Sequence, residues 1–152
     1  RFFHPRFLPL ILCRCSRCSF VLGLPLLPSL FSYLNLVLFG LQVTFKCEIG
    51  PGLFLPHTAG TVIGAWSLGR NVTVFQGVTL GAKELDFGFS SALLPEIGDG
   101  VTIGSGAKIL GGIHLDDGVV VGANAVVLRS FKQRCIIVGI PAREVGQSVP
   151  PQ

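Results

Sequence analysis

The strongest constraint in this sequence is an aliphatic residue that returns at every sixth position. The series runs without a slip through Ile97, Ile103, Ile109, Leu115, Val121 and Val127. Such a step fits neither an α-helix, with about 3.6 residues per turn, nor a long strand, whose side chains alternate between two faces. It is typical of short strands joined by tight corners, each strand pointing one aliphatic side chain inward. The sequence therefore predicts a mainly β fold, a parallel β-helix of stacked hexapeptide coils.

An earlier part of the chain repeats the same step less completely. Its members are Val62, Leu68, Val74 and Leu80, preceded by Ile49 and Leu55. The stretch IGAWSLG is one residue shorter than the usual repeat, which predicts a bulge or a shifted coil at Trp66. The repeat stops again at residues 82–96, which are expected to form a loop that leaves the coil. We therefore place the β-helix at residues 46–146, with this loop insertion and a C-terminal tail at 147–152.

Residues 1–45 form a separate, hydrophobic and partly helical segment. Residues 19–45 contain no charged side chain. This stretch is long enough to cross a bilayer, which takes about 20 apolar residues. However, Gly23 and two nearby prolines break a single helix, so the sequence predicts a shorter helix at about residues 29–41. Three alternatives stay open for this segment: a membrane span or signal peptide, packing on the chain's own domain, and peripheral membrane contact through residues 19–41.

Composition excludes several classes of partner and site. The net charge of +4 favours anionic partners, but four of the twelve basic residues lie within the first seventeen positions. The others form no basic patch with interleaved aromatic residues, so no nucleic acid partner is predicted. Cys13, Cys15 and Cys18 form a C-x-C-x-x-C cluster, but no fourth ligand follows at a usual zinc spacing, so no metal is predicted.

Longer motifs within the repeat resemble a known family. The stretch IGDGVTIGSGAKILGGIHLDDGVVVGANAVVL, followed by GIPAREV, resembles the hexapeptide-repeat acyltransferases. GPGLFLPHTAG and VFQGVTLG narrow the resemblance to the serine acetyltransferase-like branch, which includes serine O-acetyltransferases and the O-acetyltransferases of polysaccharide biosynthesis. This resemblance implies a left-handed β-helix, a homotrimer, and acetyl-CoA as the acetyl donor.

The resemblance also implies a general base. In the family, the histidine of the matching L-x-H-x-x-G stretch has that role, and its place here is His57. An imidazole that titrates near neutral pH suits removal of a proton from a hydroxyl that attacks a thioester carbonyl. Family members commonly hold the base with a carboxylate fifteen residues earlier, where this chain has Gln42. An amide accepts a hydrogen bond from the ring but does not stabilise the imidazolium by charge, so reduced turnover is expected.

The same resemblance implies a cofactor site. The expected cofactor-binding residues are Gly81, Lys83, Ser105, Ala107, Lys108, Ala123, Ala125, Pro141, Ala142 and Arg143. Four small residues among them, at positions 105, 107, 123 and 125, are expected to lie against the pantetheine arm, where bulk blocks the thiol. The GIPAR ending is similar to the segment that contacts the adenine end, which makes Arg143 the candidate for the 3′-phosphate.

Departures from the serine enzymes point to a different acceptor. Serine-specific members have an aspartate where this chain has Pro56, and an R-H-P stretch where it has Leu93 and Leu94, so the partners of free serine's charges are missing. The sequence predicts a cytoplasmic O-acetyltransferase, at the inner face of the membrane if the apolar segment binds lipid, acting on a saccharide or glycan precursor. A serine O-acetyltransferase and a catalytically weak trimeric scaffold are the alternatives. Phe87 and Phe89 either touch substrate or pin the insertion to the coil.

Overall fold

In the computed structural model, which describes residues 7–84 and 89–148, two helices precede a series of very short strands. The helices are α1 (Leu8–Val21) and α2 (Leu27–Phe39). The strands are β1 (Leu41–Val43), β2 (Glu48–Ile49), β3 (Thr61–Ile63), β4 (Ser67–Leu68), β5 (Thr73–Val74), β6 (Thr79–Gly81), β7 (Glu96–Ile97), β8 (Thr102–Ile103), β9 (Lys108–Leu110), β10 (His114–Leu115), β11 (Val120–Val121), β12 (Val126–Val127), β13 (Cys135–Val138) and β14 (Arg143–Gln147).

The strands form three sheets that the chain visits in turn. Face 1 contains β1, β3, β6, β9 and β12; face 2 contains β2, β4, β7 and β10; face 3 contains β5, β8, β11, β13 and β14. Neighbouring strands pair in parallel, except that β14 runs antiparallel to β13. The chain therefore winds through faces 1, 2 and 3 repeatedly, and the predicted parallel β-helix is confirmed.

The core consists of inward-facing side chains stacked along each face. On face 1 the stack contains Val43, Ile63, Leu80, Ile109 and Val127, each paired in register with the next. None of these side chains is more than 7% exposed. Removal of this apolar surface from water is the main favourable term in holding successive coils together.

Two corners depart from the six-residue step. Ile63, and not Val62 as the repeat predicts, faces the core, because Ile63 is 0% exposed while Val62 lies outward on β3. The step from Leu55 to Ile63 is therefore eight residues, and the step from Ile63 to Leu68 is five. The short step confirms the shift expected at Trp66. The long step cannot be read from the sequence. Val62 happens to lie six positions before Leu68, so the repeat points to Val62 and not to Ile63 as the inward residue.

The N-terminal segment is more helical than the sequence predicts. The expected helix at 29–41 lies at 27–39, because Gly40 adopts a left-handed conformation (φ 62°) that ends α2 and lets Leu41 begin β1. Since β1 pairs within face 1, the β-helix begins at Leu41 and not at residue 46. The sequence gives no prediction of α1, whose buried residues are Pro9, Cys13, Ser16 and Ser19, a small rather than strongly apolar face. Within the described residues, no helix is both long and apolar enough to cross a membrane.

The helical hairpin covers the open end of the first coil. Arg14 of α1 donates to the carbonyl oxygen of Gly50, and Arg17 donates to that of Lys46 at 2.9 Å. Arg17 also forms an ion pair with Glu48 at 3.1 Å. Backbone groups at the open edge of a sheet otherwise lack partners. These arginines therefore have a structural role in capping the β-helix.

The insertion leaves the coil after β6 and returns at β7. The ring of Phe89 stacks on Trp66, with ring centroids 5.0 Å apart, and Lys46 Nζ lies 5.7 Å from the centroid of the Phe89 ring. Phe89 therefore pins the insertion to the coil, which is one of the two roles that the sequence left open. Phe87 lies outside the described residues.

Candidate active site

The corners at which the chain passes from face 3 to face 1 stack into one continuous edge, named here the His57 edge. Four of its five corners are residues 56–60, 75–77, 104–107 and 122–125; the fifth, residues 139–143, is the turn that joins β13 to β14 on face 3 and is hydrogen-bonded to Val126 of β12 on face 1. Backbone hydrogen bonds link successive corners: Gly77 N–H donates to the Ala59 carbonyl oxygen (3.1 Å), Gly106 N–H to Gln76 (2.9 Å) and Asn124 N–H to Ser105 (2.8 Å). Side chains that are far apart in sequence therefore lie along one line of backbone.

Close stacking at this edge requires residues that accept a left-handed backbone. Gly106 has a φ of 73°, and a Cβ at this position would lie 2.1 Å from Oδ1 of Asn124. Asn124 has a φ of 56°, a conformation that asparagine adopts more readily than most residues. Glycine and asparagine at these corners therefore let successive coils approach closely.

His57 is exposed at the first corner of this edge. Its ring makes no hydrogen bond to any part of the chain that the structure describes. The step across this corner, from Leu55 to Ile63, is two residues longer than in a regular hexad. An exposed imidazole without an internal partner is available to a substrate hydroxyl.

Gln42, the expected partner of His57, lies on β1 of face 1. It is exposed and pairs in register with Val62. Among residues 7–84 and 89–148, no hydrogen bond joins its amide to the His57 ring. The structure therefore does not bring this predicted pair together within the single chain.

Several of the expected cofactor-binding residues do lie on the His57 edge. Ser105 is half-buried and Ala123 is exposed at successive corners. Pro141 and Arg143 are exposed at the last corner, which is tied to β12 by a bond from Val126 N–H to the Gly139 carbonyl oxygen (3.0 Å). The edge thus places a serine hydroxyl, a small exposed side chain and a guanidinium in line with the histidine.

Burial corrects three of the expected contacts. Ala107 and Ala125 are 0% exposed and Ala142 is 3% exposed, so their side chains belong to the core. The prediction that these side chains line a channel or form a packing surface is therefore wrong. Ala107 and Ala125 are the fifth residues of hexads that begin at Ile103 and Val121, and this fifth position faces inward like the first. A small side chain at this position allows close packing at the corner.

Lys108 lies on face 1 and turns toward the His57 edge. Its Nζ donates to the Gly77 carbonyl oxygen at 2.6 Å and to Thr79 Oγ1 at 3.1 Å. Two of the three ammonium donors are therefore used inside the chain. This geometry gives Lys108 a structural role in fixing the second corner, and not the free charge expected from the sequence.

Gly81 and Lys83 lie at a different edge, where the chain passes from face 1 to face 2. Gly81 ends β6, and a Cβ at Gly111 of the next coil would lie 3.7 Å from Lys83 Cβ. Trp66 and the insertion belong to the same edge. The whole width of face 1 thus separates these two residues from His57 within one chain.

The His57 edge is free of carboxylates. None of its five corners contains an aspartate or glutamate, whereas Glu48 and Glu96 lie on face 2. His114, also on face 2, lies 3.6 Å from Glu96 and 3.2 Å from Asp116. The described residues contain no group of three or more His, Cys, Asp or Glu that could hold a metal ion. With Arg143 at one end, the edge suits an anionic ligand.

Sequence reasoning missed Thr58, the neighbour of His57. Its Oγ1 donates to the carbonyl oxygen of Phe39, the last residue of α2, at 2.8 Å. No local motif signals this bond, because its partners are nineteen residues apart and belong to different kinds of structure.

Comparison with known proteins agrees with the geometry. Residues 95–129 match the family model described as bacterial transferase hexapeptide (six repeats). The serine acetyltransferase of Synechococcus elongatus is 35% identical over 146 residues, covering 95% of this chain and 59% of that protein. The serine acetyltransferase of Staphylococcus aureus is 43% identical over 109 residues, covering 71% of this chain and 50% of that protein. The chain thus spans about half the length of the curated relatives it matches.

Solved structures give the same result. The serine acetyltransferase of Neisseria gonorrhoeae superimposes with a TM-score of 0.88 at 30% identity, covering 98% of this chain and 57% of that chain. A complex of that enzyme with serine gives a TM-score of 0.82 at 30% identity, covering 93% and 57%. The Brucella abortus enzyme in complex with coenzyme A gives 0.83 at 29% identity, covering 92% and 55%. These neighbours have a left-handed β-helix, so the predicted handedness is confirmed. The chain is therefore a hexapeptide-repeat protein of the transferase type that is homologous to serine acetyltransferases.

Proposed function

We propose that this chain is the catalytic domain of an acetyl-CoA-dependent serine O-acetyltransferase. The observation on which the proposal depends is the His57 edge, where an exposed histidine shares one line of backbone with Ser105, Ala123 and Arg143. The relatives at 35% and 43% identity are named serine acetyltransferases, and solved neighbours contain serine or coenzyme A. The enzyme class and acetyl donor that the sequence predicts thus have support from homologues.

The residues of the edge fit coenzyme A. Arg143 is exposed at one end, the corners contain no carboxylate to repel phosphate, and the exposed side chain of Ala123 leaves room beside the backbone. Acetyl-CoA would supply the acetyl group as a thioester. Arg143 is proposed to contact phosphate, because a guanidinium donates several hydrogen bonds in a fixed plane.

His57 performs the proton transfers in the proposed mechanism. The imidazole accepts the proton of the acceptor hydroxyl as the hydroxyl oxygen forms a bond to the thioester carbonyl carbon. The carbon–sulfur bond then breaks, and the imidazolium returns the proton to the departing thiolate. Gln42 adds no negative charge, so the imidazolium is stabilised less than beside a carboxylate.

A saccharide hydroxyl is the second candidate acceptor. It is favoured by the composition of the site, because no carboxylate of the His57 edge is available to pair with the ammonium group of serine. Leu94 is buried at 6% exposure and Leu93 is apolar, so neither pairs with the carboxylate of serine. The relatives favour serine, and the local chemistry favours a neutral acceptor.

The proposed assembly is a homotrimer. Gly81 and Lys83 lie at one side of face 1 and His57 at the other, so a cleft between neighbouring copies would bring the two edges together. Light scattering of the purified protein tests this proposal, and a monomer that still transfers acetyl groups would contradict it.

The proposed location is the cytoplasm, where acetyl-CoA is available. Peripheral contact of residues 19–41 with the inner face of the membrane stays a prediction. The exposed apolar residues of α2, among them Leu30 (49%) and Val37 (61%), support it. Flotation of the protein with anionic vesicles tests it, and recovery only in the soluble fraction would contradict it.

Release of free coenzyme A from acetyl-CoA tests the function, with serine and a panel of sugars offered in parallel and the His57→Ala variant as control. Turnover with serine supports the main proposal, and turnover with a sugar alone selects the second candidate. Absence of both turnover and coenzyme A binding would favour a non-catalytic trimeric scaffold.

A further inference from the structure

We propose that Thr58 and the C-terminal end of α2 form a seat that sets the position of His57. This inference rests on the proposed function only in taking His57 as the general base. Thr58 is a positioning residue in this view, because it acts through the backbone of its neighbour and touches no substrate.

The length of the corner makes such a seat necessary. Leu55 and Ile63 both face the core, and the step between them is eight positions where a regular hexad has a step of six. The His57 ring has no hydrogen-bond partner in the described chain, so its position depends on the backbone at either side. Burial of Leu55 (2% exposed) fixes the N-terminal side.

Hydrogen bonds to the helix end fix the other side. Thr58 Oγ1 donates to the Phe39 carbonyl oxygen at 2.8 Å, and Gly60 N–H donates to the Gly40 carbonyl oxygen at 3.0 Å. The last carbonyl groups of a helix have no partner within the helix, so the Thr58 hydroxyl satisfies one of them. Thr61 N–H closes the corner by donating to the Thr58 carbonyl oxygen at 3.1 Å.

The end of α2 packs closely against the corner that follows His57, which restricts movement of one relative to the other. A Cβ at Gly40 would lie 3.4 Å from both Ala59 Cα and Gly60 N, so the helix end is in direct contact with the corner. A shift of α2 is therefore transmitted to the residues that follow His57. Misplacement of a reacting group by about 1 Å costs up to about 100-fold in rate, so a small movement here has a large effect.

The test compares Thr58→Val, which keeps the shape and removes the hydroxyl, with Thr58→Ser, which keeps the hydroxyl. Thr102→Val is the matched control, since Thr102 is half-buried on β8 and its hydroxyl has no bond in the described chain. Steady-state kinetics give kcat and KM for acetyl-CoA. Proton–carbon NMR of ring-labelled histidine reports on His57 directly, with its resonance assigned from its loss in His57→Ala.

We expect Thr58→Val to lower kcat about tenfold while KM for acetyl-CoA changes less than about twofold, and Thr58→Ser to restore most of kcat. The His57 resonance should shift or broaden in Thr58→Val and stay unchanged in Thr102→Val. An unshifted resonance, or a loss of kcat that Thr58→Ser does not restore, would overturn the inference. If the wild-type protein transfers acetyl to no acceptor, the proposed function fails, and the resonance alone still decides whether the seat exists.

Discussion

The coils from Ile97 to Val127 and the coils from Leu41 to Leu68 have the same three faces but different spacing. In the later coils each step between inward residues is six, whereas the earlier coils contain steps of eight and five. The long step holds His57, and the short step holds Trp66, which anchors the insertion. Regular repeats therefore build the wall of the β-helix, and the two departures from the repeat hold His57 and the residue that anchors the insertion.

The strongest test of this comparison is removal of the group that the long corner presents. We expect His57→Ala to lower kcat by about 10² to 10⁴ while binding of coenzyme A is retained, because general-base catalysis contributes a factor of this size. His114→Ala on face 2 is the matched control and should leave kcat unchanged. Coenzyme A release measures both, and equal turnover of the His57 variant and the wild type would remove His57 from the mechanism.

Substitutions of inward residues in the regular coils should lower the stability of the protein and not act directly on catalysis. We expect Ile109→Ala to lower the free energy of unfolding by about 2–5 kcal/mol, since the side chain is 0% exposed between Leu80 and Val127. The outward Val120→Ala on β11 should cost less than about 1 kcal/mol. Urea unfolding followed by circular dichroism provides the measurement. Similar costs at the two positions would contradict the inward register.

The junction between the helical hairpin and the long corner is sensitive to a single methyl group. We expect Gly40→Ala to cost about 1–2 kcal/mol from the left-handed backbone alone, and more from contact with the corner. Gly23→Ala is the matched control, because Gly23 has a similar φ of 66° but no atom within 4 Å of an added Cβ. Thermal unfolding compares the two, and an equal loss of stability would show that the contact at Gly40 is loose.

The smallest effect concerns two thiols where the hairpin meets the first coil. Burial raises the pKa of Cys13 to about 11 and that of Cys47 to about 12, from an ordinary value of 9.0. Both thiols line a cavity of about 20 Å³. Above pH 9 the unfolded chain releases these protons and the folded chain keeps them, so stability is complete below that pH and falls as pH rises toward the folded values.

At pH 10 each thiol should therefore remove up to about 1.4 kcal/mol of stability. Unfolding measured from pH 7 to 10.5 provides the test, with Cys47→Ala expected to flatten the decline. The exposed Cys18→Ala is the control and should leave the slope unchanged. A slope in Cys47→Ala as steep as that of the wild type would show that this thiol is not protected from ionisation.

Much of the fold follows from local pattern, and less of the site does. The hexads predict the inward positions from Ile97 to Val127, because each short strand has one buried side chain whatever its neighbours are. The same count fails at Val62, which lies six positions before Leu68 but faces outward, because Ile63 is the inward residue of this strand. It also misses α1, whose buried face consists of small residues that a hydrophobic pattern does not reveal.

The sequence by itself determined the architecture, the resemblance to the serine acetyltransferase-like branch, and His57 as the residue to test, because these depend on short motifs and on one repeating period. Only the tertiary structure decided which residues share an edge with His57. In the structure, Ala107, Ala125 and Ala142 lie in the core. Lys108 Nζ donates a hydrogen bond to the Gly77 carbonyl oxygen, and Thr58 Oγ1 donates one to the last residue of α2. The reason is physical: a coil contacts the coils above and below it, so each of these contacts joins residues many positions apart that no local pattern connects.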